Sequence, residues 1–537
     1  MLKKLYFQLG RVKPRWYFLA ILTAPLILII FSLYIKKSSG PHWLGGNSDP
    51  SYAYLLNGLN AIQLKDIGHF DHPGTPVQVL SGAIARSLSF IRHLSDKDFV
   101  SHVLADPEYY LNAINYVFLI AICVLLVVVG WCIYKKTKSV MLSLLTQSGV
   151  FFSSVTFGYL NAIAPEPLLI FSDLLITLIV VKLVFDKKPN WNKYGLEFAL
   201  VAGFGIATKI TFLPLLILPL VVLPKIKDKI LFMIGLILAF IFFTLPIRHH
   251  YREFFDWVYR LFFNSGIYGT GPATVVDLSA YLGNIKMLLI TIYPFFGLLL
   301  LDSLILLAVI LVKRKNSEKT FPIQTKILLG LTLSIIVGIL EVAKHPGQHY
   351  FIPFIGTAGL LVFLFIQNLP AIKKINSGFY SVFVVMLIIS IIGSLVSTLH
   401  QTRFASLSLI SQKNKIASVN QLRDGRYKDF IKVDYYRSSS VASALEFGNM
   451  FSSNINAPEL KKLYPTAYNF NIWRQKYYFW GDEITFDDLL AKSKGAIIFQ
   501  GPPFEGGYYK DNPEYRPKVP LIDKINGDIE TIYQYSN

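Results

Sequence analysis

Apolar stretches of about twenty residues, each long enough to cross a bilayer as a helix, recur along the chain until roughly residue 400 and then stop. There are about eleven: Tyr17–Tyr34, Ala113–Tyr134, Val140–Tyr159, Leu168–Phe185, Leu196–Ala207, Ile210–Leu223, Ile230–Ile247, Met287–Val312, Ile327–Val342, Phe351–Ile366 and Phe379–Leu395. The connectors between them alternate in chemistry. One set is rich in lysine: Lys135, Lys136 and Lys138, then Lys187-Lys188, Lys225, Lys227 and Lys229, and Lys373-Lys374. The other set carries carboxylates and imidazoles: Asp49, Asp71-His72, Glu166, His249-His250, and the run Lys344-His345-Pro346-Gly347-Gln348-His349-Tyr350. Cytoplasmic loops favour lysine, so the N-terminus is expected inside and the acidic and histidine loops outside. The fifth and sixth spans are short and flank Lys209, which reads as a re-entrant pair.

Three stretches fall outside this pattern. The first outer loop, residues 36–112, is expected to form surface-lying helices. One has Tyr52, Leu55, Leu56, Leu59 and Ile62 at helical spacing, giving an apolar face suited to the membrane interface. The loop from Arg248 to Ile285, with Gly266, Gly269 and Gly271, is expected to be irregular. From about His400 the chain turns polar and tyrosine-rich. There, Thr485-Phe486-Asp487-Asp488 reads as a capped helix start, Gly495 as its stop, and Ala496–Phe499 as a buried strand. The expected fold class is therefore mainly α: a polytopic membrane bundle over 1–399, with a small extracytoplasmic α/β domain over 400–537.

Composition agrees. The chain is 53% hydrophobic and only 16% charged, with a mean hydropathy of +0.47, well away from a soluble domain. The net charge of +19 sits largely in loops beside the spans, where lipid headgroups explain it and nucleic acid does not. Cys123 and Cys132 share one span, which excludes a disulfide framework or a thiolate metal site. The first span, flanked by Lys3, Lys4, Arg11, Lys13 and Arg15, is too long for a signal-peptide core and reads as a retained anchor. No P-loop or dinucleotide glycine fingerprint occurs. Asp96-Lys97-Asp98 follows Ser95 as a helix start, not as a nucleotide-sugar metal site. A donor carrying its own lipid anchor fits these absences best.

Polar groups at membrane depth are costly and usually functional. Asp49, just after the first span, is placed to act as a general base or to bind a cation, and Asp49-Pro50 also reads as a helix N-cap and N1 pair. Asp71 and His72 precede a helix start at Thr75-Pro76 with Gln78 completing a capping box, where backbone N–H groups favour anions. Glu166 occupies a tight outer turn, either serving the helix dipole or reaching the first loop. Lys209, Arg248, Lys344 and His349, with Tyr350, are cations and a partner near the outer surface. They suit a phosphate leaving group, and snorkelling toward headgroups is the alternative for each.

These residues resemble the GT-C glycosyltransferase superfamily, membrane enzymes that use polyprenyl-phosphate sugars, and within it the protein O-mannosyltransferases and the lipid A aminoarabinose transferases. The resemblance rests on Asp49 with Tyr52 and Tyr54, His72-Pro73-Gly74, Glu166-Pro167, Ala207-Thr208-Lys209 and His349-Tyr350-Phe351-Ile352-Pro353, in that order over roughly the first 400 residues. It implies that Asp49 is the catalytic acid of the first outer loop, where many members carry two adjacent acids. His349 stands where arginine is usual, so Lys344 is an alternative phosphate contact. The implied reaction is inverting sugar transfer to a glycan, lipid or protein hydroxyl on the outer side. Asp49 and Glu166 act in catalysis, and Tyr52, Asp71, His72, Lys209, Arg248, Lys344, His349 and Tyr350 bind substrate. A divalent ion on Asp49 and Glu166 is the one cofactor left open. A polysaccharide polymerase or lipid-sugar flippase, and a transporter or receptor, are the other classes the spans allow.

Overall fold

The computed structural model describes residues 14–44, 48–93, 95, 98–266, 269–274, 278–316, 320–344, 347–371, 377–425, 431–435, 440–471, 474, 476–492, 496–501, 521–526 and 531–536. Lys3, Lys4, Arg11, Lys13, Asp96, His345, Lys373, Lys374 and Gly495 lie outside them. Helix α1 (Pro14–Ser39) is followed by α2 (Ser48–Ile62), α3 (Thr75–Ile91) and α4 (Phe99–Ala105) in the first loop. The bundle continues with α5 (Pro107–Thr137), α6 (Val140–Gln147), α7 (Ser154–Leu160), α8 (Pro165–Val184), α9 (Trp191–Thr208), α10 (Ile217–Val222) and α11 (Ile226–Thr244). Then come α12 (Tyr251–Phe263), α13 (Leu278–Thr291), α14 (Tyr293–Lys315), α15 (Ile323–Lys344), α16 (Ile352–Ile355), α17 (Ala358–Asn368) and α18 (Ser377–Gly425).

Among the described residues, eight helical runs are long and apolar enough to span a bilayer. A ninth is the pair Val140–Phe151 and Ser154–Leu160, bent by 73°. Each expected span thus finds a counterpart, and the two that fall short of a full crossing, α9 and the run Ile210–Val222, are those flanking Lys209. The outward faces of α11 and α14 expose Ile230, Ile234, Ile237 and Leu300, Leu304, Leu307, which a lipid environment would cover. Inside the bundle, helices close on small residues, as membrane helices do where backbones touch. A Cβ on Gly149 would sit 2.1 Å from the Gly359 nitrogen, so the turn after α6 and the start of α17 meet backbone to backbone. Gln147 donates to the carbonyls of Ile21 (3.0 Å) and Leu126 (2.9 Å), tying α1 to α5.

Three expectations change. The Tyr52–Ile62 helix does not lie on a membrane surface: Tyr52, Leu55, Leu56 and Leu59 are fully buried, packed against α3 and the outer domain. The loop after Arg248 is irregular only around its glycines. Its flanks are the helices α12 and α13, because Phe254, Phe255, Val258, Leu261 and Phe262 recur at helical spacing between Arg252, Asp256 and Arg260. And the capping box at Thr75 does not form. The N-cap is Gly74 in the left-handed region (φ 69), while Gln78 instead donates to the His69 carbonyl at 2.6 Å.

Helix α18 runs unbroken to Gly425, and the outer α/β domain begins with β1 (Ile431–Tyr435). It adds α19 (Val441–Met450), α20 (Ala457–Leu463), β2 (Ala467–Asn471), β3 (Lys476–Phe479), β4 (Asp482–Ile484), α21 (Phe486–Lys492), β5 (Ala496–Gly501), β6 (Leu521–Asn526) and β7 (Thr531–Ser536). The sheet order is β4-β3-β2-β1-β5-β7-β6, with β1 parallel to β2 and β5 and the remaining pairs antiparallel. Thr485 and Asp488 cap α21 reciprocally, Thr485 N donating to Asp488 Oδ2 (2.9 Å) and Asp488 N to Thr485 Oγ1 (3.1 Å).

This domain is fastened to the first loop. Asn57 Nδ2 donates to the Phe451 carbonyl (2.8 Å), Asn60 Nδ2 to the Ser452 carbonyl (3.1 Å), and Asn456 Nδ2 to Asn60 Oδ1 (3.2 Å). Tyr464 donates to the Leu104 carbonyl and Ser101 to Glu459. A Cβ on Gly448 would meet the Tyr52 carbonyl at 2.7 Å, so α19 rides directly on α2.

Glu446 of α19 is buried, accepting from Gly481 N (3.1 Å), and burial pushes its carboxyl up to about 7. The folded domain therefore holds this proton where an unfolded chain, titrating near 4.5, has lost it. Its contribution is complete below pH 4.5 and disappears as pH rises through about 7, up to about 3 kcal/mol. Thermal unfolding of the full-length protein in detergent should show that decline between pH 4.5 and 8, and Glu446→Gln should flatten it. An unchanged slope in the variant would refute the assignment.

Candidate active site

The site is organised by a break in the chain at Lys209. α9 stops there because Lys209 turns extended (φ −160, ψ 134) and Pro214 punctuates the following 3-10 segment, Ile210–Leu216. The extended residue forms an isolated antiparallel bridge with Pro73, and Ile210 N donates to the His72 carbonyl at 3.2 Å. The first outer loop is thereby fixed against the break. Lys209 Nζ lies 2.5 Å from Glu166 Oε1, and both side chains are about 95% or more buried. The ammonium also sits 4.7 Å from the Tyr350 ring centroid, within cation–π range.

Glu166 reaches this point from the first turn of α8, where Pro165 opens the helix. Its turn is held on α2, because Ile163 N donates to Ser51 Oγ at 3.1 Å. Asp49, two residues before Ser51, keeps an extended conformation (φ −97, ψ 119), and its side chain is exposed. Between the two loops lies Tyr54, fully buried, with Gly74 pressed against its ring: a Cβ there would come 2.7 Å from Cε1. Burial, and then the carboxylates of Glu166, Asp71 and Asp49, drive the Tyr54 phenol far above its usual range. Two acids of the first loop and one from the first turn of α8 thus act electrostatically on one buried hydroxyl.

The imidazoles gather beside them. His69 contacts Tyr54 edge-on at 5.3 Å, His72 at 5.1 Å and Phe451 of the outer domain at 5.6 Å between centroids. Its Nδ1 is 3.2 Å from Asp71 Oδ1. Burial holds the His72 imidazole below its ordinary range despite Asp71 beside it, so His72 is neutral at physiological pH. Burial resists ionisation of Asp71, but the His69 imidazole 3.2 Å away leads the interactions that outweigh it and keep that carboxyl low. His349 stacks on Tyr159 (5.2 Å) and lies 4.0 Å from the Tyr350 ring.

Against this polar cluster opens an apolar pocket of about 720 Å³ including its mouth, walled by Trp257, Leu261, Phe262 and Val342 with His72, Lys209, Lys344 and Tyr350. Lys344 Nζ caps the end of α12 by donating to the Phe262 carbonyl at 2.5 Å.

The structure thus brings Asp49, Asp71, His72, Glu166, Lys209, His349 and Tyr350 together, with Lys344 on the pocket wall. Tyr52 and Arg248 are placed elsewhere. Tyr52 is buried in the α2 core, donating to Glu108 Oε1 at 2.9 Å, and Arg248 is exposed on the turn before α12. Glu166, half of the pair considered for a divalent ion, is engaged by Lys209, and no cluster of three or more His, Cys, Asp or Glu with metal-binding geometry occurs among the described residues. Sequence reading missed His69, Trp257, Thr211 and Glu341. His69 lies two residues before Asp71, and its alternation with that acid was the available signal. Trp257 sits in a helix whose periodicity the neighbouring glycines obscured.

Removing one partner of the Glu166–Lys209 pair leaves an uncompensated buried charge. Lys209→Met or Glu166→Gln alone should cost about 3–5 kcal/mol, and the double variant should recover part of it. Thermal shift in detergent is the measurement. Additive losses would show that the two groups do not act as a pair.

No family model matches the chain, and no curated protein does either. Among solved structures, it is similar to ArnT from Cupriavidus metallidurans bound to undecaprenyl phosphate, with a TM-score of 0.51 and 10% identity over 97% of this chain and 98% of that one. The apo form of the same protein matches with a TM-score of 0.52 and 10% identity over 95% and 97%. The likeness runs through the membrane bundle and the C-terminal domain together, so the chain shares the fold of that protein.

Proposed function

We propose that this chain is an integral-membrane glycosyltransferase that moves a sugar from a polyprenyl-phosphate donor to an acceptor hydroxyl on the extracytoplasmic side. The observation that carries the proposal is the junction of two unlike surfaces. An apolar pocket walled by Trp257, Leu261 and Phe262 meets Lys209 and Lys344, with Glu166 paired to Lys209. A lipid tail suits the first surface and a phosphate the cations. The solved neighbour that shares the fold was crystallised with undecaprenyl phosphate, a ligand of this kind.

In the proposed reaction the acceptor oxygen attacks the anomeric carbon from the side opposite the phosphate. The bond to the phosphate oxygen breaks with its electron pair leaving on the phosphate, and the configuration inverts. Asp49, exposed and extended at the start of α2, accepts the acceptor's proton. Lys209 and Lys344 offset the charge that develops on the departing phosphate. Glu166 serves as a positioning residue: it fixes the Lys209 ammonium over Tyr350. His72, kept neutral by burial, offers a hydrogen bond and no charge. The lysine clusters lie at the opposite helix ends, Lys135 and Lys136 closing α5 and Lys187-Lys188 following α8, consistent with a cytoplasmic inner face.

A translocation route has one observation in its favour: Asp173 and Asp302 lie within membrane helices with carboxylate oxygens that lack a partner among the described residues. Both are fully enclosed by packing and line no open path, so transfer is the better reading.

The test is Asp49→Asn in membranes supplied with radiolabelled polyprenyl-phosphate sugars and cell-envelope acceptors. Transfer should fall by about 10²–10⁴-fold with expression unchanged. Undiminished transfer would remove Asp49 from the chemistry.

A further inference from the structure

The pocket contains two polar atoms that the mechanism above does not use. Glu341, in the last turn of α15, has its Oε2 buried and without a hydrogen-bond partner among the described residues. Thr211, two residues past the Lys209 break, is 8% exposed, and its Oγ1 is likewise buried and unpartnered. Both residues line the pocket with Lys209, Trp257 and Tyr350, and the elements that carry them pack together, α15 against the segment Ile210–Leu216. A buried carboxylate oxygen and a buried hydroxyl left unsatisfied are expensive, and native proteins keep few of them without a ligand or water to complete them. Here the rest of the wall is chiefly apolar, so the missing partners must come from whatever fills the pocket.

The chemistry of that occupant follows from the neighbours. Glu341 accepts hydrogen bonds only, when ionised, and Thr211 can both donate and accept. Lys209 is already matched by Glu166, and Lys344 lines the same pocket as Glu341, so the site calls for no further charge. Neutral hydroxyls satisfy both groups without adding charge. We propose that Glu341 and Thr211 form a subsite that reads the ring hydroxyls of the sugar, and so set which glycosyl group is accepted. This rests on the lipid-phosphate reading of the pocket, and it assigns the carbohydrate end of a ligand whose phosphate end that reading places at Lys209.

The experiment separates the two. Binding of undecaprenyl phosphate alone, and of undecaprenyl phosphate carrying single hexoses or pentoses, is measured on purified full-length protein in nanodiscs. Wild type should bind the bare lipid and prefer at least one glycosylated form. Glu341→Gln and Thr211→Val should keep bare-lipid affinity, which also reports intact folding, while losing about tenfold in the preference for the glycosylated lipid. Removing single hydroxyls from the preferred sugar should reproduce that loss in wild type and have no further effect in the variants. If both variants keep the full preference, or if wild type binds no glycosylated lipid better than the bare one, the subsite assignment is wrong. If wild type does not bind the bare lipid at all, it is the lipid-phosphate reading that fails.

Discussion

A lysine and a glutamate placed 2.5 Å apart and withdrawn from water are the constraint on which the outer end of this bundle depends. Neither charge is tolerable there alone, because each loses hydration worth several kcal/mol that only the other can offset. To bring them together, helix α9 must end at Lys209, the chain must run extended for one residue, and the turn before α8 must face the same point. The extended residue then offers a free backbone edge, which Pro73 and the His72 carbonyl use. One ion pair thus ties the first loop, the second outer turn and the broken helix into a single body.

The rest of the site is built on that body by packing. Tyr54 fills the space between the first loop and the Glu166 turn, and Gly74 is required where its ring passes, since any side chain would collide with it. Helix α2 cannot be a loose surface element, for it carries Asp49 at one end, holds the Glu166 turn through Ser51, and is covered by α19 along its length. Asn57 and Asn60 give the outer domain its attachment by satisfying carbonyls at the end of α19. Phe451, next to those carbonyls, touches His69. The C-terminal domain therefore forms part of the wall behind the imidazoles, and the first loop is braced by it.

What could be read in the sequence was what depends on local chemistry. The spans follow from hydropathy, and the neighbours Asp49, Glu166, Lys209 and His349 from polar residues placed where the bilayer makes them costly. The α21 cap was legible because Thr485 and Asp488 are only three residues apart. What escaped depends on contacts between distant segments. Tyr52 shares its motif with Tyr54, yet its hydroxyl turns away to Glu108, fifty-six residues on, and nothing nearby signals this. The apolar stripe of α2 has the expected spacing, but the same stripe fits a membrane surface or a protein core, and its packing on α3 and α19 decides between them. Thr75 is not the cap because Gly74 takes the N-cap position one residue earlier, while Gln78 is turned to donate to the His69 carbonyl. Glu341 belongs to no motif in the sequence, and that its buried Oε2 has no partner among the described residues is visible only in three dimensions.

The central claim is that a lipid phosphate is held where the apolar pocket meets the Glu166–Lys209 pair, at the acidic end of the bundle. Mapping a photoreactive undecaprenyl-phosphate analogue, with the reactive group in its first isoprene, tests this most directly. Mass spectrometry should find adducts on Trp257, Leu261, Phe262 or Val342, competed away by unmodified undecaprenyl phosphate. Adducts confined to the lysine-rich ends near Lys135, Lys187 or Lys227, or spread without competition along the lipid-facing sides of α11 and α14, would contradict it.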